Sequence, residues 1–456
     1  MKYVYITCPC GDIRGVGREE YTHFKGVRYA TAERWEAPVQ VKSWDGCFDA
    51  TVQGAVCPQH DAYISTKTAV ALVYYNDNVE KTVYRYSEDC LNLNIYVPTY
   101  AVEEQGTLKD KLPVLVYFHG GSYNTGSGAN PNFHGAGYCK RGVILIDVNY
   151  RLNAFASAYG DGITGNFGLL DQICALNWIR DNIEAFGGDA DNINIMGESA
   201  GAMSVQHLIY APKAKGLFKR AIMLSGGGNL PKHFRVRTPE LAEEFWKKMK
   251  EGFKVTAIQE LRQFPAEDIY LAWDRLMASE LKYGYISMPV ANGDSIPALP
   301  EELTAAGRVN AVPCIISITA RDMFVKSLYD TAVEWALAME EQPLAPTYGQ
   351  FFSRAVSGCP YGAFHGGDTK YAFGTLDQCS RAVNTDDYRI SDEILDRYAA
   401  FVKTGRPDIP GKAKWQPISG EDRRFMNFNE NPSEMIDVPE AELQAFEDLK
   451  KPFPGM

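Results

Sequence analysis

Five short runs of apolar residues, each bounded by turn-forming residues, are spaced along the chain: Pro113–Phe118, Val143–Val148, Ile193–Met196, Ala221–Leu224 and Val312–Ile318. Apolar side chains at successive positions point to both faces of a strand. These runs therefore predict strands covered on both sides, as in a parallel sheet. Between them the apolar spacing changes to threes and fours. Leu169, Ile173, Leu176, Ile179, Ile183 and Phe186 fall on one helix face, and Gly187-Gly188 ends that pattern. Strands alternating with helices predict an α/β fold with a mostly parallel, doubly wound sheet. Tyr3–Thr7 and Leu91–Val97 alternate more freely and predict an antiparallel N-terminal edge. From about Leu230 to Leu281 the strand rhythm stops and helical spacing takes over, as in Glu240–Lys250 and Val255–Phe264. Such an insertion predicts a cap over the carboxyl ends of the strands, where ligands enter open α/β sheets. No repeat, low-complexity tract or long linker divides the chain, so 1–456 reads as a single domain.

Two turns in this frame carry chemistry. Gly197-Glu198-Ser199-Ala200-Gly201 follows the strand Ile193–Met196 and precedes the apolar pattern Met203–Ile209. A G-x-S-x-G between strand and helix is a nucleophile elbow: the glycines admit a tight turn, and the helix N-terminus lies behind the serine. On its own the motif is weak, since a plain Gly-rich strand–helix turn gives the same letters; the flanking strand and helix strengthen it. His119-Gly120-Gly121-Ser122 follows the strand Pro113–Phe118. An HGG-type loop offers backbone N–H groups to a developing oxyanion, here from Gly120 and Gly121, joined by Ala200. A phosphate-binding reading of Gly121–Gly126 fails because Ser127 stands where the lysine is needed.

A serine nucleophile needs a base, and the base needs an acid to orient it. Of seven histidines only His207, His233 and His365 follow Ser199, as the chain order of this site requires. His207 is too near the elbow to fold back over it, and His233 sits in a Lys/Pro-rich stretch. His365, in Gly362-Ala363-Phe364-His365-Gly366, is the candidate base. Asp322 lies just past the run Val312–Ile318 and is the candidate acid, against a surface aspartate paired with Arg321; Glu334, Glu340 and Glu341 compete from a helical segment. Glu198 and Ser204 are expected behind these three, with packing polarity as the plainer account of both. Ser122, Tyr123, the 227–229 loop and the helical insertion are expected to wall the pocket.

These blocks resemble the type-B carboxylesterase family, cholinesterase-like and para-nitrobenzyl-esterase-like members of the α/β-hydrolase superfamily. The resemblance rests on Phe186–Gly201 (FGGDADNINIMGESAG), Glu88-Asp89-Cys90-Leu91, Asn149–Leu152, Gly165–Asp171, Leu217–Gly226 and Gly362–Phe373, and runs from about Phe24 to Trp415. It implies a serine esterase with the triad Ser199, Asp322 and His365, an oxyanion hole at Gly120, Gly121 and Ala200, and a disulfide between Cys57 and Cys90. Three positions depart from the family. Arg321-Asp322-Met323 stands where Asp-Glu-Gly is usual, so the acid is one methylene shorter. Acid and histidine are unusually close in sequence, which implies a more open or differently shaped site. Arg28 occupies a position where proline is usual.

Composition narrows the partners. The net charge of −11 argues against nucleic acid and anionic membranes as partners. No apolar run reaches the 18 or so residues of a membrane span, and Tyr3–Thr7 is too short for a signal-peptide core. Ten cysteines at this length, with no CxxC pair, suggest free thiols rather than a disulfide scaffold or a zinc site. The expectation is a cytoplasmic enzyme acting on a small-molecule ester, with no metal or organic cofactor and an oligomeric state left open. Two rivals remain: an inactive binding protein of the same fold, and a lipase. The first loses its serine. The second wants an apolar lid, whereas this insertion carries Glu243, Glu244, Lys247 and Lys248.

Overall fold

The computed structural model describes residues 2–60, 83–103, 109–229, 236–283, 286–355 and 362–444. Twelve strands in chain order carry the architecture: β1 (Lys2–Cys8), β2 (Gly11–Gly17), β3 (Tyr21–Arg28), β4 (Asn92–Pro98), β5 (Leu112–Phe118), β6 (Ile144–Val148), β7 (Gly188–Glu198), β8 (Ala221–Leu224), β9 (Cys314–Thr319), β10 (Thr347–Phe352), β11 (Phe425–Phe428) and β12 (Glu434–Ile436). They join one sheet in the order β1-β2-β3-β4-β6-β5-β7-β8-β9-β10-β11-β12, and a short strand, Cys47–Asp49, adds to β2. All pairings from β6 through β11 are parallel. β1 to β4 form the antiparallel edge that the looser alternation implied, and β4 joins β6 antiparallel.

Every residue of β6, β8, β9 and β10 is buried; for β6, β8 and β9 this is the physical counterpart of their apolar runs, whereas β10 (TYGQFF) is a strand that the apolar pattern did not predict. The run beginning at Val312 yields a strand only from Cys314, because Pro313 has no N–H to give a ladder.

Six helices matter here: α1 (Phe167–Asn182), α2 (Ala200–Tyr210), α3 (Pro239–Phe253), α4 (Ala266–Met277), α5 (Val325–Glu341) and α6 (Thr385–Thr404). The helical pattern through Phe186 divides in two. After Asn182 the chain tightens into a 3-10 turn, Ile183–Phe186, closed by Gly187 at φ 81°.

The insertion is helical where described, with one correction. Val255–Phe264 is not an α-helix but a short 3-10 segment, Ile258–Gln263. Glu260 takes the amides of Thr256 and Ala257, Asp161 takes that of Ile258, and Pro265 denies the chain a further amide. The helix comes afterwards, as α4. Trp246 of α3 lies against Trp35 and against Trp273 of α4, with ring centroids 5.5 and 5.9 Å apart.

Candidate active site

The carboxyl ends of β5, β7, β8 and β9 converge on one place, and the turns leaving three of them carry the residues singled out above. Ser199 lies between β7 and α2 with φ 55° and ψ −122°. A non-glycine residue in such a region costs about 1–3 kcal/mol and persists only where its surroundings hold it. Here the Ser199 amide donates to Leu224 O on β8 at 2.8 Å, and its carbonyl accepts from Met203 N at 3.0 Å. The flanking glycines are steric requirements. A Cβ on Gly201 would stand 2.0 Å from Phe118 O, and one on Gly197 would stand 2.2 Å from the Gly201 carbonyl.

The loop after β5 lies against this turn, since a Cβ on Gly120 would be 3.2 Å from Ser199 Cβ. His119 fixes the loop from beneath. Its ring stacks on Tyr150 with centroids 4.6 Å apart, its Nδ1 bonds to Gly120 O at 2.8 Å, and Tyr150 donates to His119 O at 2.6 Å. Burial pushes the His119 pKa down to about 4, so the ring is neutral. The amides of Gly120 and Gly121 have no acceptor among the described residues. Ala200 is the first residue of α2, so its amide has no carbonyl one turn back. Ser122 and Tyr123 both take left-handed conformations, φ 55° and 58°.

The structure brings Ser199, His365 and Asp322 together in a line. His365 Nε2 is 2.8 Å from Ser199 Oγ, and its Nδ1 is 2.9 Å from Asp322 Oδ1. Asp322 is fully buried and also accepts from Met323 N at 2.7 Å and from Thr319 Oγ1 at 3.0 Å. Burial alone would raise its pKa, but the imidazole's charge and hydrogen bond outweigh it and hold the carboxyl below its ordinary value. For His365 the same balance runs the other way. Burial lowers its pKa, and Asp322, with smaller contributions from Glu198 and Asp368, raises it to about 9. Glu198 Oε1 stands 3.5 Å from His365 Nε2, beside the triad as expected. A backbone bond from Arg321 N to Ala363 O, 2.9 Å, ties the acid's turn to the histidine's loop. His233, the rejected alternative, lies outside the described residues.

Two expected residues serve elsewhere. Tyr123 is not an open pocket wall: it is buried, and its hydroxyl lies 3.1 Å from His207 Nδ1 on α2. Ser204 does not reach the triad. Its Oγ donates to Tyr123 at 3.4 Å and accepts from Gln172 at 2.9 Å. Ser122 remains exposed beside the site. The sequence reading missed two contributors. Asp368, one turn past His365, is buried with Oδ2 bonded to Ser317 at 2.9 Å; burial and the nearby Asp322 charge push its pKa up to about 6. Asn124 Oδ1 accepts from Trp273 of α4 at 3.1 Å and from Ser287 at 2.5 Å, fastening the Gly120–Gly121 loop to the helical insertion. The signal for Asp368 was its spacing from His365; nothing in the sequence marked Asn124.

Cys57 and Cys90, implied as a disulfide by resemblance, are both free thiols here. They touch: a hydrogen bond from Cys57, added to burial, drives the Cys90 pKa well up. Among the described residues no group of three His, Cys, Asp or Glu side chains is arranged to hold a metal, and no helix is long and apolar enough to cross a membrane.

The family model described as "Carboxylesterase family" matches residues 2–334 and 321–446. Para-nitrobenzyl esterase of Bacillus subtilis is 29% identical over 492 aligned positions, covering 93% of this chain and 95% of that protein. The solved structure of a thermophilic PNB esterase superposes with a TM-score of 0.84 at 27% identity, over 97% of this chain and 99% of its own. Neuroligin-2 of Mus musculus is 37% identical, over 49% of this chain and 30% of its own length. Matched nearly from end to end, the chain belongs to the carboxylesterase family and is an ester-hydrolysing enzyme of the α/β-hydrolase fold.

Proposed function

We propose that the enzyme cleaves small to medium, soluble carboxyl esters by two-step acyl transfer through Ser199. The observation that carries this reading is the imidazole of His365, within 3 Å of both Ser199 Oγ and the buried Asp322 carboxylate. Ser199 Oγ attacks the ester carbonyl while His365 Nε2 takes its proton. Negative charge grows on the carbonyl oxygen and meets the amides of Gly120, Gly121 and Ala200. Each such donor contributes about 3–4 kcal/mol to the transition state, because it is already oriented when the charge develops. His365 then protonates the leaving alcohol, and next activates the water that hydrolyses the acyl-enzyme. Asp322 holds the imidazole with its proton on Nδ1 and stabilises the imidazolium. The charge on α3, with Glu244 paired to both Lys248 and Lys282, favours dissolved substrates over a lipid interface.

The test is hydrolysis of para-nitrophenyl acetate, butyrate and octanoate by the wild type and Ser199→Ala. The expected loss in the variant is about 10⁶-fold in kcat, the scale of losing a nucleophile. A folded wild type no faster than Ser199→Ala on every ester would defeat the reading and favour an inactive binding protein of the same fold.

A further inference from the structure

One internal cavity beside the active site gathers hydrogen-bond donors and a positive charge with nothing to balance them. It lies between α1, α2 and the chain that follows α4, and Tyr123, Gln172, Ser204, His207, Arg237 and Ser287 are among its lining residues. Its volume is about 20 Å³, room for a single water-sized occupant.

Arg237 is 4% exposed. Its Nε donates to the Met288 carbonyl and its Nη2 weakly to Ser157 O at 3.4 Å, while Nη1 has no partner among the described residues. Arg151 lines the same cavity but has Asp171 at 2.7 Å. Arg237 forms no ion pair with any described carboxylate. Burial without an anion pushes its pKa down to about 9, which still leaves it charged at neutral pH. A cation in a low-dielectric interior is strongly unfavourable unless something pairs with it.

His207 supplies the second donor, and the hydrogen-bond chain around it settles its tautomer. Gln172 donates to Ser204 Oγ, and Ser204 spends its single hydroxyl proton on Tyr123 O. The Tyr123 proton is then left for His207 Nδ1, 3.1 Å away. With Nδ1 accepting, the proton of a neutral ring sits on Nε2. Burial keeps the ring neutral, holding its pKa down at about 3. Nε2 is buried and has no partner among the described residues.

We propose that this cavity binds one halide-sized monovalent anion, chloride being the common case, between Arg237 Nη1 and the Nε2–H of His207. A water would satisfy the donors but not the charge. Phosphate and organic carboxylates exceed the space. The site adjoins the Tyr123 hydroxyl, so the ion also braces the chain that leaves Gly120 and Gly121.

The experiment is thermal unfolding of the whole enzyme at constant ionic strength, with gluconate replaced stepwise by chloride or bromide, together with a crystal structure in bromide. The expected results are a midpoint several degrees higher in halide and still rising with its concentration, as for any ligand of the native state alone, and an anomalous bromide peak at hydrogen-bond distance from Arg237 and His207. Arg237→Gln should abolish the halide dependence. Because Arg237 also anchors two carbonyls, His207→Phe is the second variant and should weaken halide binding about tenfold, the scale of one lost hydrogen bond. Equal midpoints in chloride and gluconate would overturn the proposal, and so would a bromide crystal with no peak in the cavity. Neither readout involves ester turnover, so failure here and failure of the acyl-transfer reading are separable.

Discussion

Replacing Asp322 by asparagine tests the triad at its least conventional member. The usual expectation is a loss of about 10⁴-fold in kcat, because the amide NH₂ faces the imidazole and selects the wrong tautomer. The bonds around Asp322 predict a smaller loss. Oδ1 accepts from both His365 Nδ1 and Met323 N, whereas Oδ2 accepts from the Thr319 hydroxyl, and the other group that lowers the Asp322 pKa by hydrogen bonding, Ser225, is also a hydroxyl. A backbone N–H cannot become an acceptor, but a hydroxyl can turn its proton away. Asparagine therefore fits with its oxygen toward His365 and Met323 and its NH₂ toward Thr319, and the catalytic tautomer survives. What is lost is charge. Two unit charges about 4 Å apart at an effective dielectric near 20 interact by about 4 kcal/mol, which bounds the loss at about 10³-fold. We expect Asp322→Asn to retain the fold and lose about 10²–10³-fold in kcat/KM on para-nitrophenyl butyrate. Its pH–rate profile should move to lower pH, because Asp322 is the chief group raising His365. A loss of 10⁴-fold or more with an unmoved profile would mean that the amide has flipped, and the reasoning from Met323 would be wrong.

Further predictions concern pH and packing. The base works only when neutral, so the acid limb of kcat/KM should lie above the ordinary histidine value of about 6.5 and extend toward 9. The same raised pKa stabilises the fold fully below about 6.5 and loses that contribution as the pH rises through 9. The gap in thermal midpoint between wild type and Asp322→Asn should shrink over that range, and a constant gap would count against it. Gly201→Ala, whose Cβ meets Phe118 O at 2.0 Å, should part α2 from β5, costing about 1–3 kcal/mol in urea unfolding and most of kcat. An alanine variant with wild-type turnover would contradict that crossing. Arg151→Met leaves the fully buried Asp171 unpaired and should cost about 3–5 kcal/mol by chemical denaturation. A loss under about 1 kcal/mol would mean that Asp171 finds another donor or protonates cheaply.

Much of the site was readable because its requirements are local. The Ser199 turn needs glycine on both sides wherever a strand, a sharp turn and a helix meet, so G-x-S-x-G after Ile193–Met196 carries its own stereochemistry. β5 to β9 were readable for a similar reason, since burial on both faces leaves no polar alternation; β10 and β11, which carry the buried Gln350 and Asn427, were not. Tyr123 and Ser204 were misplaced because their partners are set by how one loop packs on α2. The sequence holds the two hydroxyls 81 positions apart without saying that they meet. In Val255–Phe264 the apolar spacing fits a helix, but side-chain carboxylates from Glu260 and Asp161 capture the amides first. Asp322 was singled out by chain order and family pattern; its bonds from Thr319 and Met323 depend on how the turn after β9 folds, which the sequence does not show.

The backbone bond between Arg321 and Ala363 has a consequence for how the chain can vary. Acid and base stand 43 positions apart, and the segment between them, which carries α5 and β10, has its two ends already joined at the site. The ends meet at the same place whatever the length of the turn that joins α5 to β10, and doubling a flexible turn costs only about 0.6 kcal/mol. Deletions and insertions in the exposed turn 342–346, between α5 and β10, can therefore accumulate while the distance from Asp322 to His365 stays as it is. A change in the length of this segment is then absorbed in its exposed turn, and the reacting centre need not register it.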